Sequence, residues 1–178
     1  MVRPTHWGDW ASSQRLQFWF DVGPGGWATA GISLRGLRAV VSASHVTDAL
    51  GDLLRAVSDL CAGAEEARCA WAEDPGEFRW LLRRAGGAVL VRIVHVTTYA
   101  PEARDDDGHT VWEGSVPLQD LVRAVVDASQ SVLEDVASDS SAAAWQAYGF
   151  PHGTVAELES RLASWPELPV DDRTQSPT

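Results

Sequence analysis

Apolar and polar residues alternate along 15–21, with Leu16, Phe18 and Phe20 on one side, and this period of two predicts a strand. Gly23-Pro24-Gly25-Gly26 then punctuates the chain, and second and third strands are expected over 27–34 and 38–43, on either side of Arg35-Gly36. Strands on both flanks make the glycine-rich stretch a hairpin turn and not a phosphate loop, which would open a helix and carry a Lys. The period then changes. Val46, Leu50, Leu53, Leu54, Val57, Leu60 and Cys61 recur at helical spacing, with Ser44 or Thr47 placed to cap the helix and Gly63 to end it.

Alternation returns in a meander. Ala67, Cys69 and Trp71 share one side of a strand, Asp74-Pro75-Gly76-Glu77 reads as a turn, and Phe78, Trp80 and Leu82 alternate with Glu77, Arg79 and Arg83 on a wet face. The strand over 88–98 is apolar on both faces near Val89, Leu90 and Val91, which predicts a central position in its sheet. A Pro- and Asp-containing loop over 99–108 leads to a last strand over 109–116. Pro117 suits a first helical position, and Leu118, Leu121, Val122, Val125, Val126, Val132, Leu133 and Val136 carry a long helix to about 137. A short helix over 142–148 and a capping box at Thr154-Val155-Ala156-Glu157, opening a helix to Trp165, complete the order.

This order predicts an α+β protein: a mostly antiparallel meander sheet of about seven strands, packed by a central helix and by C-terminal helices. A length of 178 residues is one domain's worth, expected over 15–165 between an irregular segment (1–14) and a disordered tail (166–178). Trp71 and Trp80 stand in phase and belong to the core. Trp19 stands out of phase with Leu16, Phe18 and Phe20, so it needs a cover of its own: another layer, a ligand or a partner.

Charge narrows the partners. All 14 basic residues are arginine, against 25 acids, and the net charge is −11. Nucleic acid and anionic membrane both call for a clustered cationic face, so neither is expected as a partner. The absence of Lys and Asn matches a high-GC bacterial genome. No apolar run approaches a membrane span, residues 1–7 lack the apolar core of a secretory signal, and the expected location is the cytoplasm. Cys61 and Cys69 do not make a secreted framework; free thiols and a single bridge are both open.

Candidate chemistry is sparse. None of the five histidines pairs with another at i, i+4 for zinc, no Gly-x-Ser-x-Gly elbow occurs, and no cofactor or metal is expected. His95 and His109 flank one loop and meet across a hairpin if the register puts them on one face; with Trp112 they are the candidate pocket. Glu102, Asp105, Asp106 and Asp107 are the densest acidic cluster. Counting an EF-hand loop from Asp105 puts Thr110 where Gly is required and Val116 where Glu is required, so the EF-hand pattern fails and a solvated loop is expected. Trp19 and the four acids are the candidate partner contacts.

The helix from Val46-Thr47-Asp48-Ala49-Leu50 through Leu54, then Trp71, then Phe78-Arg79-Trp80-Leu81-Leu82 and the strand from Gly86 to Ile93, resembles WapI-type bacterial immunity proteins and related small families over residues 16–136. The segment 142–165 is extra to that pattern. The resemblance implies neutralisation of a cognate toxin by direct binding. The expected function is thus a non-enzymatic protein-binding module, an immunity protein or antitoxin facing a basic toxin domain. The alternative is a small-molecule-binding protein or enzyme with a pocket between sheet and helices.

Overall fold

The computed structural model describes residues 14–97, 104–138 and 149–166. Seven strands and three helices run in the order β1 (Gln17–Val22), β2 (Ala28–Leu34), β3 (Leu37–Ala43), α1 (Ala49–Cys61), β4 (Glu66–Glu73), β5 (Gly76–Ala85), β6 (Ala88–Val96), β7 (His109–Pro117), α2 (Leu118–Ser138) and α3 (His152–Ala163). The fold is α+β with all strand pairs antiparallel. The expected helix over 142–148 and most of the expected tail lie outside the described residues.

The strands do not form one seven-stranded meander. They divide into a three-stranded sheet, β1-β2-β3, and a four-stranded sheet, β4-β5-β6-β7. The reason is the chain's path after β3, which leaves its sheet, passes through α1 and returns at β4. β3 then crosses the second sheet from β7 to β4. Its start lies at β7, where the Trp112 indole N–H donates to the Leu37 carbonyl at 3.3 Å. Its end lies at β4, where Ser44 N–H donates to the Ala72 carbonyl at 2.6 Å. The seven residue steps from Leu37 to Ser44 span roughly 23 Å, against roughly 14 Å for three interstrand spacings, so β3 runs obliquely across the sheet.

One core fills the space between the sheets and the helices. Phe18 and Phe20 of β1 meet Trp80 and Trp71 edge-on at 6.0 and 5.8 Å, and the two indoles lie 4.9 Å apart. Trp71, Trp80, Leu50, Leu53, Leu54, Leu60, Leu82 and Ile93 are all essentially inaccessible to solvent. The in-phase pairing expected of Trp71 and Trp80 is therefore observed. Among the described residues the Trp80 indole N–H is buried without a hydrogen-bond partner and that of Trp71 has no oxygen or nitrogen partner, a cost of order 1–3 kcal/mol for an unmet donor that the buried aromatic area must offset. β6 is central in its sheet, as its two apolar faces require.

Several local expectations shift. Asp48, not Ser44 or Thr47, caps α1 by accepting the Gly51 N–H at 3.2 Å, which leaves Val46 outside the helix and exposed. At the other end of α1, Arg84 donates to the Leu60 carbonyl, which also accepts the Gly63 N–H, and Arg161 donates to the carbonyl of Cys61, so two guanidiniums bind carbonyls of the last turn. The β4–β5 turn is centred on Asp74-Pro75, joined by a cis peptide bond, one residue earlier than the spacing implied. Helix α3 begins at His152, two residues before Thr154, with no side-chain cap, so the expected capping box does not form. Both cysteines are free thiols.

Candidate functional site

The candidate pocket pair does meet, and a β-bulge is the cause. Ile93 pairs with Trp112, and regular pairing from there would set Thr110 opposite His95. The bulge between Ile93 and Val94 inserts Val111 as an extra residue on β7, so His95 pairs with His109 instead. Their rings lie 5.1 Å apart, edge to face. On the opposite side His95 stacks on Phe78, its cross-strand neighbour on β5, at 4.5 Å.

Two polar groups complete the cluster. His95 Nε2 lies 3.0 Å from Glu73 Oε2 at the end of β4, and the other carboxylate oxygen of Glu73 accepts from the Ser42 hydroxyl on β3. Both partners of this contact are about one-fifth to one-quarter exposed. The order of groups determines the chemistry. In a nucleophilic triad the imidazole takes the serine proton; here the carboxylate stands between serine and imidazole, and His95 contacts Glu73 rather than the Ser42 hydroxyl. Glu73 instead orients His95 and ties β3 to β4. Trp112 belongs to the core beside this cluster, 4 % exposed, and its N–H is held by Leu37. Among the described residues no three His, Cys, Asp or Glu side chains converge to hold a metal ion.

The acidic loop lies on the outer face of the second sheet. Asp105–Asp107 form a 3₁₀ turn, and Asp105 reaches Arg79 at 3.0 Å and Arg68 at 3.4 Å. Arg79 also pairs with Glu77, two residues away on β5. The small Ala70 and Ala72 stand opposite Arg79 and Glu77 on β4, and Gly108 allows the loop to lie against Val94 and the His95 carbonyl, where a Cβ would collide. The face read as wet is therefore buried at this point: Glu77 is 7 % and Arg79 3 % exposed. Burial opposes the Arg79 charge, but hydrogen bonds and charge from Glu77 and Asp105 prevail and raise its pKa above the usual arginine value. Asp106 is largely exposed, 3.8 Å from Arg92, and the Asp107 carboxylate accepts the Arg104 N–H at 2.6 Å. Glu102 lies outside the described residues.

Trp19 is half-buried on the outer face of the first sheet, directly across from Gly31, where a Cβ would overlap its indole. Its cover is thus partly the glycine backbone beneath it. Sequence reasoning missed Glu73, Ser42, Glu77 and Arg79. The Glu-x-Arg step on β5 was visible, but nothing local said that a loop 26 residues later would close over it.

Comparison with protein-family models, with curated proteins and with solved structures finds no match for this chain.

Proposed function

We propose that the protein is a non-enzymatic binding module that engages another protein through its acidic exterior, with neutralisation of a basic toxin domain as its setting. One observation carries this reading: six of the arginines are consumed internally while several carboxylates are left outside. Arg55, Arg68, Arg79, Arg92, Arg123 and Arg161 form ion pairs with the chain's own carboxylates, and Arg84 binds a helix carbonyl. Asp59, Glu66, Glu113, Asp127 and Glu134 are exposed and pair with no cation among the described residues. Such a surface steers a basic partner at long range, and the tryptophan-filled interior supports binding at the surface in preference to within it. The Asp105 carboxylate supports the reading least, because a partner would have to displace Arg79 from it.

The test mixes the chain with the purified product of the adjacent gene and follows association by stopped flow. An on-rate that falls about tenfold or more between low and high salt is expected. Failure to form a complex, or a rate indifferent to salt, removes the proposal.

The His95–Glu73 pair favours a second reading, a small-molecule site that uses a carboxylate-oriented imidazole beside the more exposed His109. A ligand there would move the imidazole NMR signals of both histidines. If a panel of small amines, carboxylates and phosphates moves neither, this reading is removed.

A further inference from the structure

The first sheet ends in an open edge. Leu34 and Leu37 flank a two-residue turn in which Arg35 and Gly36 have φ of 50° and 84°, the type I′ geometry that suits a tight hairpin. The turn aims the Leu37 N–H at Leu34, so by antiparallel alternation the backbone groups of Leu37, Ala39 and Val41 face β2. Those of Arg38, Val40 and Ser42 face away. Ser44, next in the same phase, already donates to Ala72 on β4, but Arg38 and Val40 have no backbone partner on that side among the described residues. An unpaired edge of this kind is a template for another strand.

The side chains along the edge say what that strand carries. Leu37 and Val40 are 59 % and 51 % exposed. Val40 continues a row that starts at Trp19 and crosses Gly31, so an apolar strip runs over the outer face and stops at the edge. Arg35 and Arg38 are exposed beside it, and neither pairs with a carboxylate among the described residues. In a protein whose other arginines are mostly neutralised from within, this is a local cationic site next to an apolar one.

We propose that the β3 edge takes an extended segment of another protein as a fourth strand, in which an acidic residue opposite Arg38 stands two positions from an apolar residue opposite Val40. Strand periodicity sets the spacing, since residues two apart share a face. This surface is distinct from the acidic exterior, and its partner has the opposite local charge. The two proposals therefore fail independently.

The probe is a synthetic heptapeptide, Thr-Glu-Thr-Val-Thr-Val-Thr, titrated to millimolar concentration into the isotope-labelled full chain. The expected result is movement of the Arg38 and Val40 amide signals together with slowed hydrogen exchange at both. The same peptide with Lys in place of Glu binds about fivefold more weakly, the size of reversing one cross-strand charge pair. Val40→Pro removes only an outward-facing N–H, which edge strands tolerate, so the fold persists while peptide binding is lost; Arg38→Glu reverses the preference between the two peptides. The proposal is overturned if neither peptide moves the edge signals, or if binding ignores both the charge swap and Val40→Pro. It is also overturned if the chain self-associates through this edge in sedimentation, since a second copy is then the occupant.

Discussion

The two sheets bury themselves differently. The four-stranded sheet is covered on one face by the aromatic core, and its outer face is sealed locally, where the Asp105–Asp107 turn closes over Arg79 and Glu77. The three-stranded sheet is covered on its inner face by the same core, while its β3 edge is open at Arg38 and Val40 among the described residues. The contrast separates what holds this protein together from what it can offer to another molecule. Groups whose partners lie within the chain set stability, and groups left without them are available for recognition.

The largest test of that contrast is Trp80→Ala. The side chain is 1 % exposed and packed against Trp71 and Phe18, so its truncation is expected to cost about 3–5 kcal/mol in urea unfolding. Trp19→Ala on the open face should cost clearly less; equal losses would mean that the outer face of the first sheet is as well covered as the core. Next is Arg79→Ala, which strands Glu77 in a buried site and is expected to cost about 3 kcal/mol. Arg92→Ala, at the exposed margin of the same loop, should stay under about 1 kcal/mol by the same measurement.

A smaller effect follows from pH. Burial raises the Cys69 thiol well above its ordinary value of 9.0. The folded chain thus keeps its proton after the unfolded chain has lost it, and the native state becomes less stable as pH climbs past about 9. The decline should be steeper in the wild type than in Cys69→Ala, read as urea midpoints across that range; parallel curves would show that the thiol is not sealed in. The smallest effect is expected at Leu37→Ser, within about 0.5 kcal/mol because the side chain is already in water. A larger loss would place the β3 edge among the elements that hold the fold.

Much of the secondary structure was legible along the chain. Period-two alternation located β1, β4 and β5, turn residues and a Val-rich run located the other strands, and 3.6-residue spacing located α1 and α2, because the amphipathic elements must present an apolar face to a core. The in-phase positions of Trp71 and Trp80 and the central place of β6 follow from the same rule. The start of α1 was not legible, since Ser44, Thr47 and Asp48 are all competent caps and only the path out of β3 selects Asp48. The seven strands alone likewise do not say how many sheets they form.

The division into two sheets is a tertiary fact, set by β3 crossing beneath Trp112 and ending at Ala72. So is the candidate cluster. Local sequence places His95 and His109 on strands, but one extra residue at Val111 decides whether they share a face, and Glu73 and Ser42 arrive from strands far apart in the chain. Sequence alone determines which residues need burial and at what period, because that preference is a property of each side chain in water. Which polar groups find partners depends on distances between segments that only the folded chain brings together. That is why the acids at 105–107, conspicuous in the sequence, turn out to be bound in part to the protein's own arginines.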